Sequence, residues 1–374
     1  MVIAAGCVQL PEEVGDDTGG GKADGASSEL FGDSGPSELR LEGAFEPAFS
    51  AARAGEPDGI FPQPRITQPF VGALVYRDGE RELRLAVELE VRGNSSLSEC
   101  LFPKLKLKLD QAVAAGTVFA DARKLKIGTH CGEGGTGTIG RLREQKATWR
   151  EAAAYQVMRA LGMSSQAVKP VTITYVDTST SETITRQAFV FEHIDLLAAR
   201  LGGEGLADPE TFAGDPAEVM DAKHIVRVHM FEALLGNWDW QLRLGPADPT
   251  EGPQLSNMEA VQLGARLLPV PSDFDLSSFV TARPVRQVDP RVLPGHPSSQ
   301  VRQAAGYLAS QFGPTFEDAE LSAARAHFEA RRAAVELVIE DVLVDDEGRA
   351  NLRAHVAAFY EALSHLDEIM TAVR

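Results

Sequence analysis

Two aspartates, Asp273 and Asp275, flank Phe274 in the segment PVPSDFDLSSFV at residues 269–280. An unpaired charge is expensive to bury beside apolar residues, so these carboxylates either face water in a turn or hold a positive group. Carboxylate oxygens, together with phosphate oxygens and water, form the octahedral shell that Mg²⁺ prefers. The pair therefore predicts a surface turn or a metal site, and the spacing to Pro271 favours Asp273 as the metal ligand.

A third acid, Asp239, lies between Trp238 and Trp240 at the end of a predicted helix, and Asn257 follows it along the chain. The two indoles would shield the Asp239 carboxylate and raise the free-energy cost of leaving its charge unpaired. A helix cap or a turn aspartate is the alternative interpretation. In protein-kinase folds, residues of these types supply the catalytic base and the magnesium ligands in this order.

The segment FPKLKLKLD at residues 102–110 alternates leucine with lysine, which predicts a strand with its lysines on one face. Such a face is usually solvated. The alternative is that Lys106 or Lys108 reaches a phosphate while Glu151, near the start of the next helix, fixes its position, as in protein-kinase folds. Because both lysines share a face, the pattern leaves the choice between them open.

A glycine-rich segment, GTGTIG at Gly135–Gly140, matches the dinucleotide-binding pattern GxGxxG. That fingerprint needs a strand directly before it and an acid about 20 residues later. Here the residues THCGEG intervene after the strand, and Arg159 stands where the acid is required. The segment is therefore interpreted as a glycine-rich loop.

The elements that must position these residues fall into two halves. Residues 70–195 alternate with period two around one helix, with Asp78-Gly79 as a hairpin signal and Gly162 as a helix stop. The second half has a short hairpin before the aspartate pair and is otherwise helical. The pattern predicts an α+β fold of two lobes. Its parts are a disordered acidic tether at 1–60, a strand-rich lobe at 61–195 and a helical lobe at 196–374.

The chain has 374 residues and a net charge of −18, which argues against general affinity for nucleic acid or anionic membrane. It has no apolar stretch of about 18 residues, so no membrane-spanning helix is expected. The start MVIAAGC resembles a bacterial lipobox ending at Cys7, and an acidic stretch rich in glycine and serine follows it. A lipid anchor on a flexible tether is one interpretation, and an ordinary terminus is the other.

The two remaining cysteines, Cys100 and Cys131, are too few for a disulfide scaffold and lack the spacing of a zinc site. In an exported protein we expect them to pair across neighbouring strands. In a cytosolic protein they would be two buried thiols.

Five segments occur in the order seen in the spore-coat CotH kinase family: EVRGNSSLSECLFPKLKLKL, TWREAAAYQVMRALGM, RQAFVFEH, MFEALLGNWDWQ and LLPVPSDFDLSSFV. Over roughly residues 70–330 the chain resembles an exported bacterial branch of that family. The resemblance implies a bilobal, atypical protein-kinase fold that uses ATP and Mg²⁺. It also implies phosphate transfer to serine or related hydroxyls of a protein.

Residue by residue, the resemblance assigns nucleotide contacts, a catalytic residue and metal ligands. The nucleotide contacts are Lys106 or Lys108 at the phosphates, Glu151 on the helix and Glu192 at the hinge near adenine; the catalytic aspartate is Asp239; the metal ligands are Asn257, Asp273 and Asp275. Arg92 and Asn94 match the RGNSS signature, where a structural turn and a substrate contact are both open.

Three departures from the family pattern weaken the expectation of catalysis. Trp240 follows the catalytic-loop aspartate, the loop to Asn257 is long, and no regular glycine-rich loop precedes the lysine strand. A catalytically silent kinase fold that binds nucleotide, or one that transfers AMP or glutamate, is therefore the alternative. We expect a monomer in the cell envelope or outside the cell, in contact with a protein acceptor; a genuine start at Met1 would instead place it in the cytoplasm.

Overall fold

A computed structural model gives the fold of the chain. It describes residues 29–32, 35–54, 68–93, 97, 100, 102–129, 145–206, 209, 212, 216–237, 239–243, 254–281, 301–306, 308 and 318–373. Over these residues strands dominate the first half and helices dominate the second. The predicted mixture of helices and strands is therefore confirmed.

Seven strands of the first half form a closed barrel with the order β1-β2-β3-β4-β5-β7-β6. The strands are β1 Glu38–Gly43, β2 Phe70–Asp78, β3 Arg81–Arg92, β4 Lys104–Lys108, β5 Lys124–Thr129, β6 Val168–Asp177 and β7 Thr183–Glu192. Neighbouring strands are antiparallel except β1 and β6, which run parallel and close the barrel. Closure leaves no free sheet edge among these strands.

Local sequence signals explain why these strands pair in this register. β2 turns into β3 between Asp78 and Arg81, and Gly79 there adopts a positive φ of 60° that glycine tolerates without a Cβ clash. In β4 the leucines point into the barrel, with Leu105 and Leu107 buried. The predicted hairpin and the predicted separation of leucines and lysines onto opposite faces of β4 are both confirmed.

Residues 38–54, assigned to a tether by the sequence, instead form β1 and helix α1, Phe45–Ala54. Leu39 and Leu41 of β1 are buried inside the barrel, and Phe45 of α1 lies against Phe102 with ring centroids 5.6 Å apart. The alternating apolar residues of β1 are few, and they follow a long acidic, glycine-rich stretch. The composition of that stretch is the reason why the sequence predicted a tether here. The tether prediction was wrong for these residues, and residues 1–28 lie outside the described part of the chain.

Most of the remaining elements belong to the second half. The helices are α2 Gln111–Ala114, α3 Gln145–Ala160, α4 Ile194–Arg200, α5 Pro216–Val219, α6 Ala222–Leu235, α7 Ser278–Thr281, α8 Asp318–Ala330, α9 Arg332–Asp341, α10 Asp346–Ser364 and α11 Leu366–Val373. The strands are β8 Glu204–Gly205, β9 Gln241–Arg243, β10 Gln254–Ser256, β11 Met258–Leu263 and β12 Arg266–Pro271. In the described residues no helix combines the length and apolarity needed to cross a membrane.

Helix α3 joins the barrel to the helical half. Its residues Ala152–Ala154 are all buried, because the helix packs on β7 on one side and on α7 and α9 on the other. Arg150, also buried, donates a hydrogen bond to the carbonyl of Val280 in α7. The helix is followed by Gly162 with a φ of 68°, as the sequence predicted. α3 is thereby fixed to both halves of the molecule.

The hairpin of β11 and β12 brings two distant polar segments together. It turns at Gly264, whose φ is 63°, and its register pairs Met258 with Pro271. Asn257 therefore precedes the hairpin exactly opposite Ser272, whose N–H donates to the Asn257 carbonyl at 3.0 Å. The aspartate pair follows directly, so the hairpin places it beside Asn257.

Candidate functional site

A buried lysine lies at the centre of the candidate site. The Lys104 ammonium, at the start of β4, is 2.9 Å from the Asp273 carboxylate and 3.0 Å from the Asp275 carboxylate. The Lys104 and Asp275 side chains are less than one-tenth exposed, whereas that of Asp273 is 45% exposed. The two aspartates predicted to act together therefore converge on one positive charge. We call these three residues the lysine cluster.

The backbone after β12 directs both carboxylates to one side. Phe274, between them, is fully buried against Tyr155 and Phe231, with ring centroids 4.7 and 5.6 Å apart. Asp273 has a positive φ of 58°, which is uncommon for a residue with a Cβ, although aspartate adopts it more readily than most. Its N–H donates to the Tyr155 hydroxyl at 3.1 Å. Phe274 thus packs into the core while the carboxylates on either side of it reach Lys104.

The charges of the lysine cluster depend on one another. Burial alone would lower the pKa of Lys104, but the nearby carboxylates of Asp273 and Asp275 outweigh it, and the pKa is raised. The Lys104 ammonium is therefore a positive charge next to the two carboxylates. This positive charge lies 3.0 Å from the buried Asp275 carboxylate and compensates it there.

Glu151 of α3 lies beside the cluster and lines a cavity. It is 6% exposed, and no described residue forms a hydrogen bond or an ion pair with its carboxyl group. Burial raises the pKa of Glu151 to about 8, against the attraction of Lys104. The sequence placed Glu151 next to a strand lysine, but the direct partners of that lysine are the aspartates.

The two lysines selected from the sequence lie away from the cluster. Lys106 pairs with Glu90 at 2.8 Å, and Lys108 pairs with Glu88 at 3.5 Å, both on neighbouring β3. Alternation correctly put all the lysines of β4 on one face. The alternation does not show which lysine lies over the helical half of the molecule. In the structure that lysine is Lys104.

Asp239 and Asn257 lie together, as their predicted roles require. The Asn257 side-chain amide donates to the Asp239 carboxylate at 3.1 Å and to its backbone carbonyl. Asn257 has a positive φ of 53°, and the Asp239 N–H donates to the side-chain oxygen of Asn237 at 3.2 Å. Asn257 lines the cavity, whereas Asp239 is not among the described residues of its wall.

The cavity next to the lysine cluster has a volume of about 240 Å³. Its wall combines three acids, one amide and two cations. Its polar residues include Arg92, Lys126, Glu151, Tyr155, Asn257, Glu259 and Asp273. Since these side chains come from the barrel, from α3 and from the hairpin segment, the cavity lies between the two halves.

Two cations of the cavity wall were not assigned a firm role from the sequence. Lys126 of β5 forms an ion pair with Glu259 of β11, which links the barrel to the helical half. Arg92 lies over the ring of Phe191 at 5.1 Å and donates to the carbonyl of Leu105 at 3.3 Å. Arg92 ends β3 and is held by these contacts, and it also lines the cavity.

No protein-family model matches this chain, and no curated protein does so either. The CotH resemblance therefore stays an expectation based on the order of the motifs. Function must be argued from the geometry of the lysine cluster and its cavity.

Glu192 ends β7 at the junction between the halves, where the sequence placed it, but its polar groups are already engaged. Its carboxylate pairs with Arg200 at 3.0 Å and accepts from the Ala167 N–H. Its own N–H donates to the Ala167 carbonyl at 3.0 Å, and its carbonyl accepts from Gln166 at 2.7 Å. These bonds fix the junction and leave Glu192 little capacity to bind adenine.

Several predicted residues lie outside the described part of the chain: Cys7, Asn94, Cys131 and the glycine-rich segment Gly135–Gly140. Cys100 is disulfide-bonded, as expected for one member of the predicted pair.

The described residues contain no group of three or more His, Cys, Asp and Glu side chains arranged to hold a metal ion. The lysine cluster nevertheless suits a cation, because the Asp273 and Asp275 oxygens already meet at the Lys104 ammonium. Two carboxylates that share a positive centre could hold Mg²⁺ once phosphate oxygens and water complete its shell. A magnesium ion would thus compete with Lys104 for the same oxygens.

Proposed function

We propose that the chain is an ATP- and Mg²⁺-dependent phosphotransferase with a bilobal, atypical protein-kinase fold of the CotH type, acting on serine or threonine hydroxyls of a protein. The observation that carries the proposal is the lysine cluster. A barrel lysine, two aspartates after a hairpin and a helix glutamate meet between a strand-rich and a helix-rich half. Protein kinases use these residue types to hold nucleotide phosphates and metal.

In this proposal Lys104, rather than Lys106 or Lys108, supplies positive charge to the phosphate oxygens. Asp273 and Asp275, with the Asn257 amide oxygen, would hold Mg²⁺, which neutralises charge on the phosphates. Metal binding at the aspartates would leave the Lys104 ammonium for the phosphates, with the Glu151 carboxyl group beside it. Much of the catalysis is then positioning and electrostatic stabilisation.

Asp239 is the proposed base. The acceptor hydroxyl gives its proton to the Asp239 carboxylate while its oxygen forms a bond to the γ-phosphorus. The bond from that phosphorus to the bridging oxygen breaks, and ADP leaves with the electron pair. The Asn257 amide would orient Asp239, since it donates to that carboxylate at 3.1 Å.

The size of the cavity adds a requirement. Pockets for drug-sized ligands usually measure about 300–1,000 Å³, and this cavity has about 240 Å³. The cavity suits the phosphate end of a nucleotide, and a whole nucleotide requires the halves to move apart. Enzymes with two lobes commonly open to admit a ligand and close around it.

A catalytically silent, nucleotide-binding protein is the second candidate. The observation that favours it is the position of Asp239, which is not among the described residues lining the cavity. A base must come within hydrogen-bond reach of the proton that it removes.

Transfer of the γ-phosphate from labelled ATP, with a generic protein acceptor or by autophosphorylation, tests the proposal. The wild type is compared with D273A and with the control D195A, which removes a half-exposed aspartate paired to Lys124 on the surface. Label in the wild type and D195A but not in D273A supports a kinase. A Mg²⁺-dependent thermal shift with ATP and no transfer supports the silent binder, and the absence of both shift and transfer contradicts both candidates.

A further inference from the structure

Tyr155 is a buried residue of the cavity wall to which the sequence assigned no role. It is 1% exposed and lies one helical turn after Glu151 on α3, so the two side chains share a helix face. Its ring is held between aromatic neighbours, with Phe274 at 4.7 Å and Phe191 at 5.8 Å between centroids. The position of its hydroxyl is therefore fixed by packing.

The hydrogen bonds of this hydroxyl are incomplete. A tyrosine hydroxyl has one hydrogen to donate and can also accept. The Tyr155 oxygen accepts from the Asp273 N–H at 3.1 Å, and no described residue accepts its hydrogen. Burial raises the pKa of Tyr155 well above its usual value, so the hydrogen is present. The hydroxyl therefore has a hydrogen that it can donate to a ligand in the cavity.

The surroundings indicate what that ligand is. The cavity wall carries two cations, Arg92 and Lys126, and three acids, of which Glu259 is paired with Lys126 and Asp273 with Lys104. A phosphate bound there would have Arg92 and Lys126 as its positively charged neighbours. The hydroxyl is bonded to the backbone of Asp273, whose carboxylate belongs to the lysine cluster. An oxygen atom held there would lie next to the charges proposed to bind phosphate and metal.

We propose that Tyr155 binds the ligand directly, by donating its hydroxyl hydrogen to a phosphate oxygen while accepting from the Asp273 N–H. The inference rests on the proposed function only in naming the phosphate as part of a nucleotide. Through one oxygen atom, Tyr155 would couple the presence of the phosphate to the left-handed backbone of Asp273. It is thus both a binding residue and a positioning residue for the aspartate pair.

The matched pair of variants is Y155F and Y360F. Each removes only a hydroxyl from a buried tyrosine; the Tyr360 hydroxyl donates to the Phe328 carbonyl at 3.2 Å, away from the cavity. Binding of MgATP is measured by calorimetry, with urea unfolding to show that both variants fold. We expect Y155F to weaken binding about tenfold, as for the loss of one hydrogen bond to a charged group, and Y360F to leave it unchanged.

The outcomes separate this inference from the proposed function. If the wild type binds MgATP and Y155F binds it equally well, the role of Tyr155 is refuted while nucleotide binding stands. If the wild type does not bind MgATP, inorganic pyrophosphate is titrated into the same proteins. Weaker pyrophosphate binding by Y155F than by Y360F then supports the phosphate contact without a nucleotide, whereas the absence of pyrophosphate binding overturns it.

Should Y155F fail to fold, 3-fluorotyrosine at position 155 keeps the ring and makes the hydroxyl a stronger donor. Tighter binding of the same anion is then expected, and unchanged affinity would refute the contact.

Discussion

Replacing Lys104 by methionine is the most direct perturbation of the lysine cluster. Methionine keeps the length and apolar packing of the lysine stem but removes the ammonium that lies 2.9 and 3.0 Å from the two aspartates. The Asp275 side chain is 8% exposed, so its charge would lose its partner in a nearly dry site. Removing one member of a buried ion pair typically costs about 3–5 kcal/mol of folding stability.

The contribution of Asp273 is smaller. Its side chain is 45% exposed, and water can solvate its charge when Lys104 is gone. Ion pairs of such exposure contribute about 0–1 kcal/mol. We therefore expect K104M to lower the free energy of unfolding by about 4 kcal/mol, most of it from the pair with Asp275.

The matched control is K108M on the same strand. The pair of Lys108 with Glu88 is 3.5 Å long and about half-exposed on both sides, so the expected loss is below about 1 kcal/mol. Urea unfolding of both variants, followed by tryptophan fluorescence, gives the difference between their free energies of unfolding. A K104M variant no less stable than K108M would refute the view that the ammonium is the counter-charge of a buried acid.

Two additions to this experiment separate folding from metal binding. The triple variant K104M/D273N/D275N removes the stranded charges and should regain much of the lost stability. Millimolar MgCl₂ should stabilise K104M more than the wild type, because the metal no longer competes with an ammonium for the same oxygens. Stabilisation that is equal in both proteins would argue against a metal site at the aspartates while leaving the ion-pair argument intact.

Two further predictions concern the interior. Burial raises the pKa of Glu232 in α6 to about 8 from an ordinary 4.5, so the folded protein keeps a proton that the unfolded chain loses, and stability falls as pH rises through that range. E232Q cannot ionise, so the difference in free energy of unfolding between E232Q and the wild type should shift in favour of E232Q by on the order of a few kcal/mol from pH 5 to pH 8.5 in urea unfolding. A difference that does not change with pH would contradict a neutral Glu232. In the barrel, a Cβ at Gly72 would lie 2.5 Å from the Glu42 carbonyl oxygen and 2.6 Å from Leu89, so G72A should destabilise the protein by about 1–3 kcal/mol. The exposed turn at Gly116 has no atom within 4 Å of such a Cβ, and G116A, strained only by its φ of 71°, should lose less in thermal unfolding.

The sequence predicted most of the local structure. Period-two alternation and the Asp78-Gly79 turn identified β2 and β3, and Gly162 marked the end of α3 correctly. These features depend on neighbours in the chain. Barrel closure depends instead on the parallel pairing of β1 with β6, which are far apart in sequence, and no local pattern encodes it.

The candidate site could be predicted only in part, for the same reason. Asp273 and Asp275 were found because two acids beside Phe274 are unusual, and their shared role followed from their spacing. Lys104 was missed because alternation specifies the face of a strand but not which residue lies opposite the other half of the molecule. Tyr155 carries no local signal, because it follows Ala152–Ala154 on α3 and has the sequence pattern of a core aromatic.

The first barrel strand, β1, forms backbone hydrogen bonds with two strands, β2 on one side and β6 on the other. A protein shortened from its N-terminus past Gly43 would keep the whole lysine cluster and yet expose two unpaired strand edges. Such edges promote strand exchange between molecules and aggregation. During synthesis, β1 must likewise wait for β6 to emerge before its second edge is covered. A fragment that starts at residue 61 therefore lacks β1 and part of the barrel. A fragment that keeps the barrel closed must begin before Glu38.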